Sequence, residues 1–350
     1  MSIDNYPLIL YSSHMSENYK IKGFLPVLAA LIGNTFIAII KFVAFLFSGS
    51  VVMFSEAIHS VADTSNQLLL MVGIKRSVRK PDREFIYGYG RERFFWALIS
   101  ACGIFFFGAG AIIYNGVTSL IEKRAMLHHP IVYIVLALSL VIESITFLVA
   151  VRELRRHYPN QKFKDIVRIA DPSTLAVAFE DGLAVIGVFT AFIAIFLSHI
   201  TGKYYWDPIG SIMIGLFLAA IAIILIAKNR QFLLGKAIPA DLQDKIVRML
   251  EADPAIETVL GFKSSTLDIG IYRIKCSIEF NGSALLAEAY KNRSLHEQYE
   301  DIRENYEEFK KFCVDYADRV PRLVGKKIDE IETRIRTQNQ GVKYIDIEIN

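Results

Sequence analysis

Residues 51–74 read VVMFSEAIHSVADTSNQLLLMVGI, an apolar stretch interrupted by Glu56, His59 and Asp63. At about 1.5 Å per residue, a helix of this length crosses a hydrocarbon layer about 30 Å thick. His59 and Asp63 are one helical turn apart, so both side chains face the same way. Glu56 extends them into an i, i+3, i+7 stripe. Ionisable side chains are costly in hydrocarbon, so their presence there points to function. An imidazole nitrogen and a carboxylate oxygen on one stripe are donors for a divalent transition metal. The same pair also suits a buried ion pair that locks two helices together. Glu56 suits a further ligand, a partner for the His59 ring, a transient site nearer the outer face, or an interhelical hydrogen bond.

The rest of the chain has a matching pattern. Apolar residues make up 53% of it, yet residues 1–23 and 231–350 are polar and the stretch between them is rich in Leu, Ile, Val, Phe and Ala. Six runs are long enough to be membrane helices: 24–47, 51–74, 93–119, 130–150, 170–198 and 206–228. The fold class expected is a membrane α-helical bundle of six transmembrane helices followed by a C-terminal α+β domain. The domains are an N-terminal cytoplasmic segment 1–23, a transmembrane domain 24–230 and a cytoplasmic domain 231–350. The opening residues lack a signal-peptide pattern, and they lack the arginine-rich pattern of a transit peptide. A net charge of +3 over 350 residues gives no nucleic-acid footprint. Cys102, Cys276 and Cys313 are scattered, with no CxxC, and read as packing residues rather than disulfides or thiolate ligands.

Basic residues set the expected orientation. Segment 75–93 carries Lys75, Arg76, Arg79, Lys80, Arg83, Arg91 and Arg93, and segment 151–168 carries Arg152, Arg155, Arg156, Lys162, Lys164 and Arg168. The turn Ser48-Gly49-Ser50 has no basic residue, and links 120–129 and 199–205 have few. The positive-inside rule then places both termini in the cytoplasm, in the plasma (inner) membrane. The second and fifth helices run antiparallel, with Asp181 and its neighbour Glu180 at the depth of His59 and Asp63. Adjacent helical residues point about 100° apart, so Glu180 and Asp181 share one ion only with help from side-chain length or a local distortion.

Other polar residues read more simply. Lys41 can snorkel to the outer interface, Asn34 suits interhelical contact, and Glu143 suits a buried hydrogen bond or a proton relay. His128 and His129 read as an incidental pair in an outer loop. Tyr87-Gly88-Tyr89-Gly90-Arg91 reads as a turn before the third helix, not a phosphate loop, because no strand precedes it. Gly103, Gly108 and Gly110 suit close packing of that helix. Asp171-Pro172-Ser173 starts the fifth helix, with Asp171 as cap.

In residues 231–350, Leu242, Ile246, Met249 and Leu250 form an apolar helical stripe. Segments 257–267 and 271–280 read as paired strands. In the second, Tyr272, Ile274, Cys276, Ile278 and Phe280 alternate with Arg273, Lys275, Ser277 and Glu279. Residues 285–316 read as charged helix, a further helix places Ile328, Ile331 and Ile335 on one face, and Gly341 precedes a last strand with Ile345, Ile347 and Ile349. His296 is the single tail histidine, which argues against metal sites there.

These residues resemble the cation diffusion facilitator family of metal efflux transporters. Ser55-Glu56-Ala57-Ile58-His59-Ser60-Val61-Ala62-Asp63 is similar to its second-helix HxxxD motif. Lys80-Pro81-Asp82-Arg83, Tyr87-Gly88-Tyr89-Gly90-Arg91-Glu92-Arg93 and Glu180-Asp181 followed by Gly187 resemble the subgroup of zinc transporter nine-like proteins. Better-known members carry a second such motif in the fifth helix, and alignment on Asp181 puts Val177 at its first ligand. Valine cannot bind metal, so the resemblance implies His59, Asp63 and Asp181, with Glu180 as replacement and Glu56 nearby. It also implies a metallochaperone-like tail that forms a homodimer, and a secondary transporter exporting a divalent metal, zinc foremost with Mn, Fe or Co as other cargoes, in exchange for protons. No resident cofactor is expected. Val177 leaves open a non-transporting membrane metal sensor or scaffold. An intramembrane metal hydrolase would need HExxH, which is missing, so no enzyme is expected.

Overall fold

The computed structural model describes residues 24–123, 130–157, 161, 166, 172–289 and 295–350. Residues 1–23, His128, His129, Lys162, Lys164, Arg168 and Asp171 lie outside the described residues. The elements, in order, are helices α1 (Phe24–Ser48), α2 (Val51–Ser77), α3 (Glu92–Glu122), α4 (Pro130–His157), α5 (Pro172–Thr201), α6 (Trp206–Leu233) and α7 (Ala240–Glu251), then strands β1 (Ile256–Asp268) and β2 (Ile271–Phe280). Helices α8 (Gly282–Ala289), α9 (Leu295–Ile302) and α10 (Tyr306–Gln338) follow, and strand β3 (Val342–Ile349) completes the series. The chain divides into two compact units. One holds the helices up to Arg76 together with Glu92–Arg230, and the other joins Ser77–Arg91 to Gln231–Asn350.

In the first unit, five described segments are long and apolar enough to cross a membrane: Leu31–Ser48, Glu92–Glu122, Pro130–Arg156, Leu175–Thr201 and Trp206–Leu233. Helix α2, at 27 residues, has the length but not the hydropathy, because Glu56, His59, Asp63 and Asn66 interrupt it. The expected count of six therefore stands at five by composition. Helix α3 carries a π-helical turn over Ile104–Ala109. The glycine reading needs revision within it. A Cβ on Gly108 would come 3.2 Å from Leu218, but Gly103 has open space and Gly110 meets only a carbonyl of its own helix. Gly116 makes the tighter approach, with Ile212 2.7 Å from a built Cβ.

In the second unit, β1 pairs antiparallel with β2, and β2 pairs parallel with β3. The parallel step needs a long crossover, which α8 to α10 supply. The alternation in β2 places Ile274, Cys276 and Ile278 on the buried face. There they meet Ile246 and Leu250 of α7, Ile331 and Ile335 of α10, and Val342 and Ile345 of β3. Ile349 is exposed, so the β3 stripe is shorter than its sequence suggests. The charged helical stretch expected over 285–316 is divided among α8, α9 and the start of α10, and the further helix with Ile328, Ile331 and Ile335 belongs to the same α10, which runs through Pro321. Asn305 caps it by accepting from the Glu307 and Glu308 amides.

The segment Ser77–Arg91 is built into this unit, which the sequence pattern did not signal. Asp82 ties it into a turn, accepting from the amides of Glu84 (3.0 Å) and Phe85 (2.8 Å) and from Tyr89 Oη (2.5 Å). The Tyr89 and Phe85 hydrogen bonds hold the Asp82 carboxyl below its usual range. Tyr87 lies 4.3 Å beneath the Arg273 guanidinium and edge-on to Tyr344 at 5.1 Å. Gly88 has a φ of 81°, which favours glycine. Gly90 presses so close to β1 that a Cβ would lie 2.6 Å from the Leu267 carbonyl oxygen.

Burial pushes the Cys276 thiol up to about 11, so at mildly alkaline pH it stays protonated as well as enclosed, whereas Cys313 is exposed. A maleimide applied to the native chain should label Cys313 and spare Cys276. Ile278→Ala should cost about 2–5 kcal/mol and lower the denaturant concentration at which Cys276 becomes reactive. Equal labelling rates for the two thiols in the native chain would contradict this core.

Candidate metal site

Glu56, His59, Asp63 and Asn66 succeed one another along a single stripe of α2. Glu56, His59 and Asn66 are buried, and the Asp63 side chain is 17% exposed. The start of the helix is tied to α6. Asp207, in the first turn of α6, accepts from Ser50 Oγ at 2.7 Å and from the amides of Val51 at 2.6 Å and Val52 at 3.3 Å. These amides have no intrahelical acceptor, so a carboxylate there satisfies them and complements the helix dipole. Ser55 and Ser211 share a 2.6 Å hydrogen bond and add a second tie between α2 and α6.

At the amino-terminal end of the stripe, Glu56 is engaged. Lys41 of α1 donates to Glu56 Oε2 at 2.7 Å and to Glu143 Oε1 of α4 at 2.6 Å, and its side chain is wholly enclosed. The snorkelling expected of Lys41 is thus corrected, because two carboxylates face it inside the bundle and nothing is gained by reaching for water. Glu143 takes the hydrogen-bonded role. The other Glu56 oxygen faces Gly187 of α5, where a built Cβ would lie 2.7 Å from it.

At the carboxy-terminal end of the stripe, Glu180 of α5 accepts from Asn66 Nδ2 with both oxygens, each at 2.6 Å, and Ser100 Oγ of α3 donates to Asn66 Oδ1 at 2.6 Å. A three-helix chain results.

His59 and Asp63 sit between these ends. Nδ1 of His59 is 3.7 Å from Oδ1 of Asp63, beyond hydrogen-bond distance. Both ring nitrogens of His59 and Oδ1 of Asp63 are buried without a hydrogen-bond partner. Buried polar atoms are almost always satisfied, so three orphans on one turn call for a binding partner. Asp181 is partly buried on α5. Among the described residues, no three His, Cys, Asp or Glu side chains come together as a ready metal cage. The structure therefore sets His59 beside Asp63 and gives Glu56 to Lys41 and Glu180 to Asn66. Val177 is 45% exposed on α5. Asn66 could have been found from the sequence, because it continues the stripe one turn past Asp63. The roles of Lys41, Ser100 and Asp207 depend on which helices meet, and no spacing within one helix reports that.

The profile of the cation efflux transmembrane domain matches residues 27–234. The chain is 34% identical over 328 residues to the protein named proton-coupled zinc antiporter SLC30A9, mitochondrial, of mouse and of human, covering 92% of this chain and 58% of each relative. It is also 34% identical over 330 residues to metal tolerance protein C4 of Arabidopsis thaliana, covering 92% of this chain and 72% of that one. The chain thus spans somewhat over half the length of the mammalian relatives.

The cap on α2 gives a direct check. Asp207→Ala leaves the Val51 and Val52 amides and Ser50 Oγ without their acceptor. It should cost about 1–3 kcal/mol and lower the melting temperature in detergent. Ser55→Ala, which removes a single neutral hydrogen bond, should shift it less. An unchanged melting temperature for Asp207→Ala would show that the cap does not hold α2.

Proposed function

The chain belongs to the cation efflux family, and we propose that it is a secondary transporter carrying a divalent metal, zinc foremost, across a membrane in exchange for protons. The observation that carries this reading is the set of unsatisfied donors on one buried turn of α2, both His59 nitrogens and Asp63 Oδ1. Two contacts frame that turn against α5, Asn66 with Glu180 and Glu56 with Gly187. His59 and Asp63 fall between them, at the level of Asp181. We assign His59, Asp63 and Asp181 as cargo ligands, with Glu180 able to join when its Asn66 bonds are released. Glu56 is an adjoining carboxylate held by Lys41. Zinc accepts this mix of nitrogen and oxygen donors, and Mn, Fe and Co remain chemically compatible. The printed names of the mouse and human relatives support zinc as cargo and protons as the exchanged ion.

The coupling follows from competition. Ligands bind metal only when deprotonated, so entry of the cation releases protons and protons from the opposite side release the cation. In this reading α2 is a sixth span, its polar stripe turned away from lipid. Both termini and the basic segments 75–93 and 151–168 face the cytoplasm at the plasma (inner) membrane. The tail is a metallochaperone-like domain through which two copies pair. No catalytic residue is assigned.

The test is zinc uptake into sealed proteoliposomes under an imposed pH gradient, with proton movement followed by a trapped dye. His59→Ala and Asp63→Ala should each abolish zinc-dependent flux while leaving the melting temperature close to that of the parent chain. Flux per folded molecule equal to the parent would refute the ligand assignment. Zinc binding without any proton movement in the parent chain would favour the sensor or scaffold reading that Val177 raised.

A further inference from the structure

Lys41 is enclosed completely, and its ammonium is gripped by carboxylates from two other helices, Glu56 Oε2 at 2.7 Å and Glu143 Oε1 at 2.6 Å. The remaining oxygens of those groups, Glu56 Oε1 and Glu143 Oε2, are buried without hydrogen-bond partners. Gly187 lets Glu56 Oε1 approach its backbone so closely that a Cβ there would lie 2.7 Å from it. One turn along α2 lies His59, whose nitrogens are likewise unpartnered. Setting the ammonium aside, two carboxylates on different helices converge on one point, with spare oxygens and an imidazole nearby. That is a donor set for a divalent cation.

We propose that Lys41 is a tethered cation standing in a latent second metal site formed by Glu56 and Glu143, and that it confines the chain to one cargo ion at His59 and Asp63. The proposal rests on the cargo reading given above. Its physical basis is charge and enclosure. A metal ion entering between Glu56 and Glu143 would have to displace an ammonium that is bonded to α1 and walled in. Two positive species cannot share that space, since like charges a few ångströms apart repel strongly in a weakly polar interior. The lysine thus offsets one of the two acidic charges beside the cargo turn without lending that charge to the cargo. It is a specificity-determining residue, and it acts by occupying a position.

Zinc binding to the full-length chain in detergent, measured by equilibrium dialysis, tests this. The parent chain should bind a membrane zinc that is lost in His59→Ala. Lys41→Ala should bind one additional zinc per chain, and Glu56→Gln introduced beside Lys41→Ala should remove it. Lys41→Arg, which keeps a cation in place, should retain the parent stoichiometry. If Lys41→Ala unfolds in chelator, added zinc should restore a melting transition by mass action, and the double variant should not recover. Parent stoichiometry in a folded Lys41→Ala, or an unfolded Lys41→Ala at every zinc concentration, overturns the proposal. A parent chain with no zinc sensitive to His59→Ala would instead sink the cargo reading, while an added ion in Lys41→Ala would still uphold the latent site.

Discussion

The ammonium of Lys41 lies between the carboxylates of Glu56 and Glu143, and through it α1, α2 and α4 share one buried charge cluster. Each of these groups alone in hydrocarbon would be expensive, on the order of 2.5–3.5 kcal/mol at the centre of an inserted helix. Together they offset one another, and removal of one leaves the others as uncompensated charge, a loss of about 3–5 kcal/mol. The bundle is therefore committed to a specific grouping of helices. Apolar packing alone would not enforce it, because lipid competes for every leucine on equal terms. Once Glu56 is held in this way, the α2 stripe can turn only one way, and His59 and Asp63 are aimed into the bundle along with it.

Two further polar ties complete the placement of α2. Asp207 closes its amino end from α6, and Asn66 connects it to Glu180 of α5 and Ser100 of α3. Between them, the turn that carries His59 and Asp63 is left with its polar atoms unsatisfied. The contrast is informative because it is local. Hydrogen-bonded groups lie on both sides, Glu56 Oε2 with Lys41 and Asn66 with Glu180, while both ring nitrogens of His59 have no partner. A rigid frame around an underfilled turn is the arrangement expected of a site whose partner comes and goes.

Much of this was legible in the sequence. The helical periodicity of 51–74 gives the stripe directly, since side chains three and four residues apart must share a face. The alternation in 271–280 gives the buried face of β2, because strand period and burial are locked together. Hydropathy finds five candidate spans and passes over α2, where Glu56, His59, Asp63 and Asn66 dilute the apolar signal. What stayed hidden are the partnerships between helices. Lys41 has no carboxylate within reach along α1, so a sequence reading sends it to water, and the acids that hold it lie on α2 and α4. The role of Asp207 is hidden for the same reason. Residues 306–338 form one helix rather than two because Pro321 is accommodated within α10, and local propensity treats proline as a break.

The cap from Asp207 has a consequence for biogenesis. A chain inserted from its amino end delivers α2 to the translocon long before α6 is made, so α2 must wait in a provisional setting with its leading amides and its acids unmet. Only when the last helix arrives can Asp207 close over Val51 and Val52. Insertion of the more apolar helices is thus separable from maturation of the polar one. The order of synthesis makes the helix with the polar stripe among the first to be translated and among the last to be settled.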